Sequence, residues 1–247
     1  MSLVAGRLSV QAGAHHMEIH QGGNGTLLGG VPGVAPAKVL VLGGGVVGSS
    51  AIRVALGMGA DVTVLDRSIS RLSELDEQYR GQLRTVYSTA EALEMHAREA
   101  DLIIGAVLIP GASAPKLVTA EMLADFKPGT VMVDVAIDQG GCFETSRPTT
   151  HADPTYEVDG VVHYCVANMP GAVARTATMA LTNATLPYII RLASNEVGSL
   201  LMEDKHFGAG LNIVHGQLTH RAVAEALGRT WTEPDQILRT SLHLKSA

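Results

Sequence analysis

Two patterns of apolar and polar positions alternate along most of the chain. Short runs, nearly all branched or apolar, occur at Lys38–Leu42, Asp61–Leu65, Arg84–Ser88, Asp101–Val107, Thr130–Ala136 and Val161–Val166. Runs of that length and composition predict strands covered on both faces, as in a parallel sheet. Between them, helical spacing predicts helices over Val46–Met58, Ser68–Tyr79, Thr89–Ala100 and Thr119–Phe126, with turns such as Lys127-Pro128-Gly129. This alternation means right-handed crossovers and an α/β, doubly wound sheet.

The flanks read differently. Ser2–His20 reads as a helix with Leu3, Val10, Ala14 and Met17 on one stripe and Ser2 as N-cap. Only Met1 precedes it, too little to bury that stripe, which hints that a preceding segment is absent or belongs to another chain. Gln21–Pro36 is glycine-rich and reads as a linker. Ile137–Thr155 is a long polar loop, of the kind that is often functional. Asp159-Gly160 signals a tight turn before the last strand. Val173–Ala193 reads as a long helix that Pro187 should bend. The tail, 195–247, shows one clear helix, Thr219–Leu227, and a polar end expected to be loosely ordered.

Composition narrows the function classes. In 247 residues, 46% hydrophobic and 17% charged, a substantial globular core is expected rather than disorder. A formal net charge of −6 leaves no electrostatic footprint for nucleic acid or for an anionic membrane surface. No apolar run approaches the roughly 20 residues of a membrane span, and the N-terminus lacks signal-peptide character. Cys142 and Cys165 stand outside any CxxC pair and read as reduced thiols of a cytoplasmic protein. His15, His16 and His20 suggest a metal cluster. Only His16 and His20 share a helical face, though, and Glu18 is expected to point elsewhere, so a solvated or interface face is the expectation and no metal is assigned.

The densest chemical signal is Gly43-Gly44-Gly45-Val46-Val47-Gly48. It follows a strand and opens a helix, and a second strand ends on Asp66, 18 residues further on. This is the dinucleotide fingerprint in context, the mark of a Rossmann-type sheet, with an ordinary glycine turn as the alternative. Gly43 permits the turn, Gly45 admits a pyrophosphate to the backbone, and Gly48 lets helix and strand pack closely. Asp66 is expected to accept hydrogen bonds from ribose hydroxyls and to repel a 2′-phosphate, favouring NAD over NADP. Arg67 weighs slightly the other way, or is a solvated surface arginine. Ligands of open parallel sheets bind beyond the carboxyl ends of the strands. That rule adds Val46, Val47, Ser88, Val107, Leu108, Ala136, Ile137, Asp138, Asn168 and Met169. Asp138 is the catalytic candidate, orienting a nicotinamide or moving a proton, with a turn or capping aspartate as its alternative. Arg147 either contacts phosphate or is structural.

Longer blocks carry a resemblance. Ala5-Gly6-Arg7, Gly29-Gly30-Val31-Pro32-Gly33-Val34, Asp101 through Ala112, Val133 through Glu144 and Tyr164 through Val173 closely resemble the alanine dehydrogenase family, over essentially the whole chain to about Ala193. The NAD-binding subunit of proton-translocating transhydrogenase is related, but Asp138-Gln139-Gly140-Gly141-Cys142-Phe143-Glu144 and Leu181 through Pro187 look like the dehydrogenase branch. The resemblance implies NAD contacts at Ser2, Val46, Val47, Asp66, Arg71, Ser88, Val107, Leu108, Val135, Ala136, Ile137, Asp138, Arg147, Val166, Ala167, Asn168 and Met169, with Asp138 as the active-site aspartate. It implies reversible oxidative deamination of L-alanine to pyruvate and ammonia, and a cytoplasmic homo-oligomer, a hexamer. It further implies three parts: a connecting helix and linker (1–25), an NAD-binding domain (26–172), and a connecting helix with a helical remnant of a second, substrate domain (173–247). The family's amino-terminal half of that domain, with its substrate lysine, arginine and catalytic histidine, has no counterpart here. The chain is therefore expected to bind NAD and to be incomplete for catalysis alone. The alternatives are a transhydrogenase-type hydride carrier and a non-catalytic NAD-binding module.

Overall fold

A computed structural model describes residues 1–107 and 114–243. Within them the chain divides into two compact units, Met1–Thr178 and Met179–Ala247. The first is built on a seven-stranded sheet. Its strands are β1 (Lys38–Leu42), β2 (Asp61–Asp66), β3 (Leu83–Tyr87), β4 (Leu102–Gly105), β5 (Val131–Asp134), β6 (Thr155–Val158) and β7 (Val161–Tyr164), in the order β3-β2-β1-β4-β5-β7-β6. All neighbours are parallel except β6 and β7.

The two-residue period of a strand explains why the runs are apolar throughout. Val39, Val41, Val62, Val64, Leu102 and Ile104 enter one core, while Leu40, Leu42, Leu65, Ile103 and Met132 enter another on the opposite face. The first core is covered by α1 (Ser2–His16), α2 (Val46–Gly57) and α3 (Ile69–Tyr79). The second is covered by α4 (Ala90–Glu99), the segment around Val118–Phe126, and Phe143. Ser68 and Thr89 cap α3 and α4 by accepting from Arg71 N and Ala92 N.

The structure corrects several expectations. The opening helix ends at His16, a separate 3-10 turn spans Ile19–Gln21, and its N-cap is Met1, with no side-chain cap from Ser2. Its cover lies within the chain: Ala5, Leu8, Val10 and Met17 are buried, and α1 packs on α2 and the sheet, whereas Leu3 is exposed. Gly6 makes this approach possible, since a Cβ there would stand 2.2 Å from the carbonyl oxygen of Val47. The apolar stripe missed this because the contact face is built partly of small residues.

Glu18 does not point away from the histidines. Beyond the end of α1 the chain turns, and Glu18 meets both His15 (3.5 Å) and His20 (3.2 Å), while His16 is buried beside Tyr164. The helix expected at Thr119–Phe126 is only a 3-10 turn, Glu121–Asp125. Asp159-Gly160 is the two-residue loop of a hairpin, with φ of 50° and 75°, so β6 was overlooked and the sheet is mixed. The long helix α5 spans Ala174–Ser194 and carries Pro187 within it. The tail holds more than one helix: α6 (Val197–Glu203), α7 (Lys205–Gly208), the short hairpin β8 (Ile213–Val214) and β9 (Gln217–Leu218), α8 (Arg221–Ala226) and α9 (Pro234–His243). Leu108, Pro110, Gly111 and Lys245 lie outside the described residues. Among the described residues no helix is long and apolar enough to cross a membrane.

Candidate functional site

A groove of about 520 Å³ opens over the carboxyl ends of β1, β2 and β4. Gly43, Gly45, Val46 and Val47 line it from the glycine loop, Asp66 and Ser88 from the ends of β2 and β3, Val107 from beyond β4, and Ser2 from the start of α1. Eight of the expected cofactor residues thus converge on one wall. Arg67, Pro115 and Leu117 line it as well.

The glycines divide the work as their positions require. Gly43 has φ +94°, a conformation L side chains rarely adopt, and turns the chain out of β1. Gly48 does not face the groove: a Cβ there would stand 1.8 Å from the Gly43 carbonyl oxygen, so its bareness lets α2 sit down on the loop. Gly45 is the N-cap of α2, and a Cβ built on it meets nothing within 4 Å. The space a side chain would occupy is open at the end of a helix whose first N–H groups lack intrahelical partners. That is a cradle fitted to a pyrophosphate.

Asp66 is held in place by the loop it faces. Its carboxylate accepts from Gly44 N at 2.7 Å and from Ser68 N at 2.8 Å. Arg71, expected at the cofactor, supports the loop instead. Its Nε donates to Gly44 O at 2.7 Å and a terminal nitrogen to Ser49 Oγ, and it lines a neighbouring cavity rather than the groove.

The remaining expected residues gather at the carboxyl ends of the paired strands β5 and β7. Val135 donates its N–H to Gly105 O, Ala136 and Ile137 are buried, and Asp138 is exposed in the 3-10 turn Ile137–Gln139. Val166 and Met169 are buried, Ala167 and Asn168 exposed, and Asn168 has φ +54°. None of these lines the groove described above. The Asp138 carboxylate makes no hydrogen bond or ion pair with any described residue, so it does not serve as a cap. Arg147 stacks its guanidinium on the Tyr156 ring, 3.9 Å from the centroid, and its N–H donates to the Tyr156 hydroxyl.

What holds the Asp138 loop escaped the sequence reading. Asp134, fully buried at the end of β5, accepts from Ala136 N (3.0 Å), Cys142 N (2.9 Å), Phe143 N (3.3 Å) and Ser146 Oγ (2.6 Å). Lys116 closes the loop from outside, its Nζ donating to the carbonyls of Gly140, Gly141 and Phe143. This makes Lys116 a structural loop lysine. Burial pushes both thiols up, Cys142 well above its ordinary range with the nearby Asp134 carboxylate adding to the effect, so both stay protonated. The one signal available was a carboxylate ending an otherwise apolar run, Val131-Met132-Val133-Asp134.

Comparison with known proteins agrees with this geometry. Residues 9–221 match the family described as alanine dehydrogenase/PNT, C-terminal domain. The chain belongs to that family. It is 67% identical to an alanine dehydrogenase of Halomonas elongata over 96% of its own length and 64% of the relative's. Among solved structures, an L-alanine dehydrogenase superposes with a TM-score of 0.89 at 52% identity, covering 92% of this chain and 63% of that one. A transhydrogenase from Sinorhizobium meliloti superposes with a TM-score of 0.73 at 26% identity, covering 88% and 61%. The chain thus spans just under two thirds of the length of these relatives. The cofactor of the family is NAD.

Proposed function

We propose that the groove over the glycine loop binds NAD and that the chain takes part in the NAD-dependent oxidation of L-alanine to pyruvate and ammonia. The observation that carries the cofactor half is the open Gly45 position at the start of α2, in a groove that also presents Asp66. The 67% identity to an alanine dehydrogenase supports the substrate half. The transhydrogenase-type alternative draws on the weaker likeness.

A bound nicotinamide would supply the hydride acceptor for C2 of the amino acid. The chain's own part is binding and positioning. The α2 N-terminus and Gly45 would take the pyrophosphate, Asp66 the ribose hydroxyls, and Val46, Val47, Val107 and Ser88 the rest of that wall. Residues 135–138 and 166–169 would form the end nearer the reacting carbon. Asp138, exposed and without a partner among the described residues, is the group available to hold or move a proton there. Addition of water to the oxidised amine needs such a group, together with a cation for the substrate carboxylate.

That cation does not come from the lysines of the sheet unit. Lys38 pairs with Glu99, Lys127 with Asp101, and Lys116 is taken by three carbonyls. We therefore expect the chain alone to bind NAD while turning over L-alanine slowly or not at all, since loss of positioned groups costs about 10²–10⁴ in rate. Adding the segment by which its relatives are longer, fused or in trans, should restore NADH formation. Full alanine-dependent NADH production by the isolated chain would mean that the substrate site is misplaced. By the same family argument we propose a cytoplasmic homo-oligomer, with a single species of several subunits in sedimentation as its check.

A further inference from the structure

A second cavity, of about 440 Å³, shares Gly45 and Val46 with the cofactor groove but faces three helices. Each helix contributes one arginine to its wall: Arg7 from α1, Arg53 from α2 and Arg71 from α3. Ser49, Ser50, Gln78 and Tyr79 complete the polar lining, and no carboxylate stands among the lining residues. In a chain of net charge −6 such a convergence is not expected from composition.

Two of the three arginines are unpaired among the described residues, whereas Arg98, Arg191 and Arg221 each pair with an acid. Arg7 and Arg53 make no ion pair or hydrogen bond with any described residue. Arg71 is fixed by its bonds to Gly44 O and Ser49 Oγ, and its one acidic partner, Glu74, lies outside the lining. Burial raises the Tyr79 phenol while Arg53 and Arg71 pull it down, so both cations act on the same wall.

We propose that this cavity is a second anion site, which takes the phosphate group of a small phosphate monoester. Arginines supplied by three helices suit a tetrahedral dianion better than a planar carboxylate, which one guanidinium fork satisfies. The cavity is larger than a bare phosphate needs. On its rim Leu3 and Val46 are 57% and 59% exposed, leaving apolar surface for an uncharged body. Because Arg71 also holds Gly44 O, and Gly45 and Val46 line both spaces, the site adjoins the cofactor groove at the glycine loop.

The test is a titration with inorganic phosphate at fixed ionic strength and saturating NAD, following the arginine side-chain Nε–H resonances by NMR. Saturable one-to-one shifts of Arg7 and Arg53 are expected with NAD in place. R7A/R53A should weaken phosphate at least about tenfold and leave NAD affinity unchanged, since each lost charge-assisted contact is that large or larger. R7K/R53K, which keeps charge but loses the forks, should fall between. Glycerol phosphate should bind at least as tightly as phosphate. Shifts that never saturate, or a monoester that binds more weakly than phosphate, would overturn the proposal. So would phosphate that NAD displaces and that ignores R7A/R53A, because it would then lie in the pyrophosphate cradle. NAD binding is read separately, in a titration without phosphate, so failure of the cofactor reading would be seen on its own.

Discussion

Replacing Gly45 by valine separates a binding role from a folding role at one position. Gly45 has φ −66° and ψ −162°, a conformation open to any residue, and its Cβ position contacts nothing within 4 Å. The folding cost is therefore confined to the poorer N-cap, about 1 kcal/mol, or about 2–4 °C in melting temperature for a unit of this size. Binding should suffer far more, because the side chain fills the space through which a pyrophosphate reaches the α2 amides. Charge-assisted hydrogen bonds contribute about 1.5–3 kcal/mol each, so losing two costs about 3–6 kcal/mol, or roughly 10²–10⁴ in affinity. NADH fluorescence titration reads the binding, and a thermal melt of the same sample reads the fold. Gly48→Ala is the contrast: its methyl would stand 1.8 Å from the Gly43 carbonyl oxygen, so the melt itself should drop as the loop is forced open. Undiminished NAD binding by a folded Gly45→Val protein would refute the cradle.

Three further outcomes follow from the same geometry. Asp66→Ala should weaken NAD by about tenfold or more and narrow its advantage over NADP, since it removes a ribose acceptor and the anchor for Gly44 N; equal affinity for the two cofactors in the unmodified chain would end that reading. Asp134→Asn offers one acceptor oxygen where two serve five donors, the Cys142 thiol included, and puts an NH₂ against the rest, so a loss of about 1–3 kcal/mol per orphaned donor is expected in denaturant unfolding, and an unchanged midpoint would show that the carboxylate does not hold the loop. Burial holds His16 and His163 below the ordinary imidazole value, so below about pH 6.5 the unfolded chain takes up protons that the folded one refuses, and stability present above that pH is lost on acidification; His163→Gln should flatten part of that slope, and melting temperatures that hold or rise from about pH 7 to 5.5 would contradict it.

The parts of the fold legible in the sequence are those whose cause is local. A buried parallel strand is apolar on both faces because both faces are covered, and the glycine spacing of the first crossover is dictated by backbone contacts a few residues apart. What was hidden depends on contacts distant in sequence. The buried face of α1 includes Gly6, whose importance is visible only once Val47 lies against it. The edge strand β6 is half-exposed and follows Pro154, so it lacks the apolar run that marked the other strands. The family resemblance puts Arg71 and Arg147 among the cofactor residues. The structure gives them closer partners in Gly44 O and Tyr156.

The same distinction separates two carboxylates four residues apart. Asp134 ends a buried strand, and its oxygens are saturated by donors from the loop that follows, so its chemistry is consumed in shape. Asp138 rides on that loop, is exposed, and accepts from no described residue. A group meant to exchange a proton must not be committed to an internal ion pair, yet it must be placed to within a fraction of an ångström. In the role proposed for Asp138 both demands are met when orientation is delegated to a neighbour: Asp134 from inside and Lys116 from outside fix the backbone, and the Asp138 carboxylate is taken by no described residue. A strand or helix would not serve as well, because the turn after β5 must leave the sheet at the edge shared with β7, where residues 166–169 arrive. The long polar loop between Ile137 and Thr155 is thus a platform hydrogen-bonded to Asp134, which takes the backbone N–H groups of Cys142 and Phe143 and the hydroxyl of Ser146.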